Sequence, residues 1–286
     1  SSIIRDKNLI KLIVDGKEVP TFAYMTYIPK NGMYEWFKSK DIKLFSLGVY
    51  MGDRGINPMS GVKPFKTGFW KSRDVYDFSE VEADFEKIAA GSSSVYILPR
   101  VYLDCPRWWE KENPEQLSRD YSGNSLRQSF ASDLWREDCK TALKKLVEYI
   151  ENSKWSNCVI GYHIAAGSTE EWLYPRTFKD QFADYSETNR LSYVKWLKGK
   201  YDSIDNLNLS WKKRYNDFED MVIPCPFDRK YSSIGPLRNP EAEMAVIDYT
   251  TYHNELIADN IIYFCRVVKE LTDWKQIAGA FYGYVD

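Results

Sequence analysis

The chain has 286 residues, enough to bury a large core as one α/β barrel or two smaller domains. Its 39 basic and 41 acidic residues nearly cancel and form no basic block, so a nucleic-acid partner has no electrostatic support. The outlier is aromatic content: 10 Trp, 21 Tyr and 14 Phe, side chains whose flat apolar faces and polar edges suit sugar rings as well as a core.

Ile10 to Pro20 reads as a hairpin turning at Asp15-Gly16. A first strand over Thr21 to Tyr27 and a short helix over Asn31 to Lys40 follow. Ile42 to Tyr50 is a second, buried strand, and a long polar loop runs from it to Arg73. Loops of that length inside a domain are usually functional. A helix near Phe78 to Ala90 leads to a third strand, Val95 to Asp104. There Val95, Ile97, Val101 and Leu103 share one face, and Tyr96, Leu98, Arg100, Tyr102 and Asp104 the other. If helices cover the first face, the second lines an interior that turns polar toward the strand's C-terminal end. Pro99 suggests a bulge. Trp108 and Trp109 follow as an aromatic pair on a loop.

Leu134 to Ile150 carries a helical stripe of Cys139, Leu143, Leu146, Val147 and Ile150. Val159 to Ala166 is a fourth strand. It runs through Gly167 into Thr169-Glu170-Glu171-Trp172, two adjacent carboxylates delivered onto a tryptophan. That arrangement suits the mouth of a carbohydrate-cleaving site. The plain alternative is the acidic first turn of a helix. Thr188 to Leu207 is a further amphipathic helix on Leu191, Val194, Leu197, Tyr201 and Ile204. Ile223 to Pro240 is a Pro-rich loop, a helix carries Ile257, Ile261, Phe264, Val268 and Leu271, and Ile277 to Tyr284 is a fifth strand.

Five strands alternating with helices, without repeats, argue a parallel α/β fold. No glycine-rich phosphate loop follows the first strand, which weakens a dinucleotide-binding reading. In a (β/α)8 TIM barrel the site sits at the C-terminal ends of the strands. Arg100, Asp104, Trp108, Trp109, Glu170, Glu171 and Tyr284 all fall there. Five scattered cysteines and two histidines form neither a zinc pattern nor a disulfide framework, so no metal and no cofactor is expected. No membrane-spanning run is visible, so no membrane partner is expected. The chain opens on Ser1 without a methionine, which leaves an upstream leader and the compartment undecided.

The most specific stretch is Asn189 to Pro224, where Trp196, Leu197, Lys200 and Tyr201 lead into Leu207, Asn208 and Trp211. This W-L-x-x-K-Y then L-N-x-x-W order resembles the segment after the fourth strand of family 42 β-galactosidases, of the retaining glycosidase clan. Most of the motif reads as packing a helix against the barrel. The hairpin VDGKEVP, the run from Arg100 to Trp109 and the closing FYGY are similar to the same group, more loosely.

The resemblance implies a (β/α)8 barrel over residues 21–286, preceded by a hairpin extension over residues 1–20. It also implies retaining hydrolysis of a terminal sugar from a glycoside or oligosaccharide. The acid/base glutamate then stands after strand four, and a nucleophilic glutamate after strand seven. Since the last strand here corresponds to the fifth, strands six to eight and the nucleophile are expected outside this chain. Aligning the aromatic that follows the family's glutamate makes Glu171 the acid/base, with Glu170 where the family has Asn. Arg100 would orient a carboxylate or bind a hydroxyl, or else form an interior salt bridge with Asp104 or a strand-four carboxylate. Trp108, Trp109, Trp172 and Tyr284 complete the expected sugar contacts, with one of the Trp pair in the core, and His163 is expected as a satisfied interior histidine. The partner is a carbohydrate, and a homo-oligomer is compatible. The competing expectation is a non-catalytic carbohydrate-binding protein or inactive fragment, in which the Thr-Glu-Glu-Trp departure marks lost chemistry.

Overall fold

The computed structural model describes residues 1–27, 31–55, 63–90, 94–174 and 182–281. The chain begins with three antiparallel strands, β1 (Ser2–Asp6), β2 (Leu9–Val14) and β3 (Lys17–Val19). The turn at Asp15-Gly16 is the expected one; β1 is an addition that pairs Ser2 with Ile13. β4 (Ala23–Thr26) and β5 (Leu44–Tyr50) start a second sheet, and a small hairpin, β6 (Trp70–Ser72) with β7 (Val75–Tyr76), follows. β8 (Tyr96–Tyr102), the hairpin β9 (Leu117–Arg119) and β10 (Ser125–Gln128), β11 (Gly161–Ala165) and β12 (Ile277–Gly279) complete the strands. The second sheet runs β12-β11-β8-β5-β4, all parallel and in chain order, which is the ordering of a (β/α)8 barrel wall.

Contacts divide the chain into two compact units. The first holds residues 1–109, 137–173 and 261–286; the second holds 110–136 and 174–260. The parallel sheet lies wholly in the first. Phe45, Leu47 and Val49 of β5, with Val95, Ile97, Val101 and Leu103, are buried. The helix Ser79–Ala89 packs against β5 and buries Val81, Phe85 and Ile88. On the opposite face, at the strands' N-terminal ends, Leu12, Val14 and Val19 of the hairpin cluster with Leu44, Ile160, Tyr96, Leu98 and Ile277. Each such aliphatic side chain, once buried, contributes ~1.5–3 kcal/mol. The hairpin therefore closes one end of the sheet's interior face and leaves polar side chains for the other.

Pro99 sits in an unbroken ladder with β5, paired to Leu47. On its other side the pairing steps from Ile97↔Val159 to Arg100↔His163, so the neighbouring strand carries one extra residue beside the proline. The irregularity lies where a missing N–H would otherwise break a ladder. Gly161 opens β11 under a steric constraint: a Cβ there would meet the Ile277 carbonyl oxygen at 2.4 Å. Gly161→Ala is expected to force β11 from β12 and cost roughly 3 kcal/mol. Equilibrium denaturation checks this, and a loss below 1 kcal/mol would show the two strands able to part freely.

Three expectations change. Thr188 to Leu207 is not one helix but two, Glu187–Tyr201 and Ile204–Trp211. Asp202 turns the backbone to φ 60, and the Ser203 side chain caps the second helix through Asn206 N. Leu191 is consequently exposed, and Asn189, Tyr193, Val194 and Leu197 form the buried face. Trp108 and Trp109 stand on a short helix, Arg107–Glu112, not on a loop, with Pro106 immediately before it. The Pro-rich stretch holds one helical turn, Pro226–Lys230. Among the described residues no helix is long and apolar enough to cross a membrane.

Candidate active site

Side chains on the interior face of the first unit become polar where the strands end, as alternation along β8 requires. Arg100 and Tyr102 alternate with Val101, and Tyr50 ends β5 beside them: Tyr50 and Tyr102 stack at 4.4 Å with planes 4° apart. The Arg100 guanidinium lies 5.2 Å from the Tyr27 ring, just past β4.

After β11 the chain makes a tight turn, closed by Ser168 N donating to Leu173 O (2.8 Å) and Trp172 N donating to Ala166 O (2.8 Å). Asp104 holds its entry by accepting from Gly167 N at 3.0 Å. Thr169, Glu170 and Trp172 all take positive φ, 55, 77 and 59, a region that costs side-chain-bearing residues roughly 1 kcal/mol or more each. The acid pair thus belongs to a strained turn, not to a helix start. Its geometry separates two residues adjacent in sequence. Glu170 turns inward, fully buried, and its Oε2 accepts from Arg100 Nη1 at 2.6 Å. Glu171 remains partly exposed, and its Oε2 accepts from Thr169 Oγ1 at 2.6 Å.

The inward cluster is buried. Arg100 is 1% exposed, Tyr102 2% and Tyr50 5%. Burial raises the Glu170 carboxyl above the ordinary carboxylate range, against the opposing pull of the Arg100 guanidinium. Burial likewise pushes the Tyr50 and Tyr102 hydroxyls up, and Tyr102 is raised further by the charge of Glu170. His163, beside Arg100 in the ladder, is lowered to about 4 by burial and by that cation, so it stays neutral and accepts from Phe281 N at 3.3 Å. Five buried polar positions in the cluster make no hydrogen bond of good geometry among the described residues: Arg100 Nε and Nη2, Glu170 Oε1, and the hydroxyls of Tyr50 and Tyr102, although Tyr102 lies close enough to interact with both Tyr50 and Glu170. Buried polar groups are nearly always satisfied, so such a concentration at the strand ends marks a candidate site.

Of the expected residues, the structure brings Arg100 and Glu170 into direct contact and sets Asp104 behind the turn that carries Glu170. The interior salt bridge weighed for Arg100 is thus the one with a carboxylate after strand four. Trp108 is partly exposed, with Nε1 donating to Trp70 O at 3.1 Å. Trp109 and Trp172 are enclosed, their Nε1 atoms donating to Asp138 Oδ2 (2.7 Å) and Ile164 O (3.2 Å). Tyr284 lies outside the described residues. Tyr50 and Tyr27 were not singled out from sequence. Tyr50 was legible, since alternation places it with Ser46 and Gly48 on the interior face of β5. Among the described residues no group of three or more His, Cys, Asp or Glu could hold a metal ion.

The tryptophan-rich motif sits in the second unit and converges on one carboxylate. Buried Asp248 accepts from Lys200 Nζ (2.6 Å), Tyr201 OH (2.6 Å) and Trp211 Nε1 (2.7 Å). Leu197 and Leu207 are core, and Asn208 brackets Tyr215 through both its amide atoms. The motif is thus a packing device. Asp248→Ala is expected to destabilise the protein by roughly 3 kcal/mol, since it strands three donors. Asp248→Asn should recover part of that in chemical denaturation. If Asp248→Ala unfolds at the wild-type denaturant concentration, the convergence is incidental.

The sequence model of glycoside hydrolase family 42, described as β-galactosidase, matches residues 65–285. Among curated proteins, β-galactosidase BbgII of Bifidobacterium bifidum is 22% identical over 81% of this chain and 31% of its own length. β-Galactosidase bgaB of Geobacillus kaustophilus is 25% identical over 87% of this chain and 34% of its own. The chain therefore spans about a third of the length of the relatives it matches. Among solved structures, a β-galactosidase from Bacillus circulans sp. alkalophilus superposes with a TM-score of 0.63 at 16% identity, covering 90% of this chain and 35% of that one. The catalytic domain of a β-amylase from Paenibacillus polymyxa gives 0.69 at 12%, covering 90% and 65%. These likenesses carry the fold, which is of the (β/α)8 type. With the family model matched over most of its length, this chain belongs to glycoside hydrolase family 42, the β-galactosidase family.

Proposed function

We propose that the chain supplies the acid/base side of the active site of a retaining, β-galactosidase-like glycoside hydrolase acting on a terminal sugar. The observation that carries this reading is the cluster of unpartnered buried polar atoms around Arg100 and Glu170 at the C-terminal ends of parallel strands. A pyranose ring offers vicinal hydroxyls that both donate and accept. One hydroxyl accepting from Arg100 Nη2 and donating to Glu170 Oε1 would satisfy both, and the tyrosine hydroxyls would serve its neighbours.

Glu171 is the proposed acid/base. Protonating a glycosidic oxygen, then activating water, requires a carboxyl that exchanges protons with solvent. Partly exposed Glu171 has that access, whereas Glu170 is tied to a guanidinium and suits hydroxyl recognition. One observation favours the opposite assignment: burial raises Glu170, the direction a proton donor needs. The second carboxylate required for retention, ~5–5.5 Å across the glycosidic bond, is not assigned to a residue of this chain.

The test is the stereochemistry of hydrolysis. The complete protein, given 4-nitrophenyl β-galactoside, should release the β-anomer first in time-resolved proton NMR. Release of the α-anomer first would sink the retaining reading. Galactose binding without turnover would make the protein the non-catalytic binder.

A further inference from the structure

The turn that carries the acid pair fixes the backbone around Glu171. Glu171 N donates to Ser168 O at 3.2 Å, and the next residue, Trp172, is buried with its Nε1 on Ile164 O at 3.2 Å. On the other side a Cβ on Gly167 would meet Leu173 O at 2.4 Å, so the two arms of the turn lie in contact. The Glu171 side chain is freer, because its carboxyl swings on several rotatable bonds. Among the described residues one side-chain donor meets it, Thr169 Oγ1, at 2.6 Å from Oε2.

Thr169 Oγ1 also lies 2.7 Å from Ser168 O, and a hydroxyl has a single proton to give. The two acceptors are unequal. A carboxylate takes a hydrogen bond roughly twice as strong as a neutral carbonyl does, and Ser168 O already accepts from Glu171 N. The hydroxyl proton therefore belongs to Oε2. Thr169 makes this contact from φ 55, a left-handed conformation in which a β-branched residue is an outlier and Gly or Asn is at ease. Strain of that kind clusters where a side chain has a task.

We propose that Thr169 is a positioning residue for the acid/base carboxyl: by donating to Oε2 it leaves Oε1 as the oxygen that gives and takes the proton. The proposal rests on the assignment of Glu171 as acid/base. In the first half of the reaction Oε1 passes its proton to the glycosidic oxygen. That oxygen leaves with the bonding electrons as the nucleophilic carboxylate bonds the anomeric carbon. In the second half water bonds the anomeric carbon, the carboxylate departs, and the water's proton goes to Oε1. Thr169 keeps its own proton throughout, and one orientation of Glu171 serves both halves.

Thr169→Ala and Thr169→Ser differ by one hydroxyl, and neither adds strain to the turn. In the complete protein kcat is measured for methyl β-galactoside, whose poor leaving group makes the acid half limiting, and for dinitrophenyl β-galactoside, whose good one makes the base half limiting. Both values are expected to be about tenfold lower in Thr169→Ala than in Thr169→Ser, with KM for the methyl glycoside alike and azide restoring the dinitrophenyl turnover. kcat/KM for the dinitrophenyl glycoside, whose departure needs no proton, should match in the two variants. Equal kcat values overturn the positioning role. So does a dinitrophenyl kcat/KM that falls with them, which is damage to the turn itself. Glu171→Gln separates this proposal from the reading beneath it. If that variant is slow on the methyl glycoside while Ala and Ser at 169 are alike, the acid/base stands and Thr169 alone is overturned. If Glu171→Gln is as fast as wild type, or wild type hydrolyses neither substrate, both fall.

Discussion

Glu171→Gln in the complete protein is expected to lower kcat/KM about 10²–10⁴-fold on galactosides with poor leaving groups, the usual worth of a positioned general acid. An amide is close to isosteric with the carboxyl but cannot hand over a proton. Aryl galactosides with good leaving groups need no such donor, so they should still form the glycosyl-enzyme, and added azide should restore turnover by attacking it directly. Glu170→Gln should instead raise KM, because its carboxylate is the one that meets Arg100 at 2.6 Å, and azide should not rescue it. The reverse pattern would assign the proton to Glu170, in line with the upward push of burial on its carboxyl. Full activity in both variants would remove the acid pair from the chemistry.

Arg100→Met is expected to destabilise the protein by about 3–5 kcal/mol, the cost of leaving a buried carboxylate without its cation. Both partners are almost wholly enclosed, Arg100 at 1% exposure and Glu170 at 0%. The informative comparison is Arg100→Met/Glu170→Leu. A buried ion pair replaced by apolar groups of similar volume is often neutral in stability, so the double variant should regain most of the loss in urea denaturation while losing sugar binding. If Arg100→Met alone keeps wild-type stability, the pair is not isolated from water as the structure has it.

The strands and their order were legible because each buried strand is an apolar run of β-branched and aromatic residues bounded by turn residues, as in Ile42 to Tyr50. Alternation in Val95 to Asp104 placed Arg100 and Tyr102 inward, and the structure has them there. The helix break at Asp202 was hidden, because the apolar spacing of Thr188 to Leu207 continues through it and only the Ser203 cap marks the restart. The tryptophan-rich motif identified the family without revealing its own purpose. Its target, Asp248, lies 37 residues beyond Trp211 and carries no local signal.

By itself the sequence determined that five strands alternate with helices, that basic and acidic residues nearly cancel, and that a carboxylate pair follows the fourth strand. Those properties are local: they follow from periodicity of two or three to four residues, from composition, and from which residues are adjacent. Only the tertiary structure decided where Glu170 and Glu171 each point. Adjacent residues differ in environment only through backbone direction, and positive φ at Thr169 and Glu170 turns one acid onto Arg100, 70 residues earlier, and leaves the other toward water. The set of unpartnered atoms around that pair, on which the sugar-binding proposal rests, comes from two strand ends and one turn that meet only in the folded sheet.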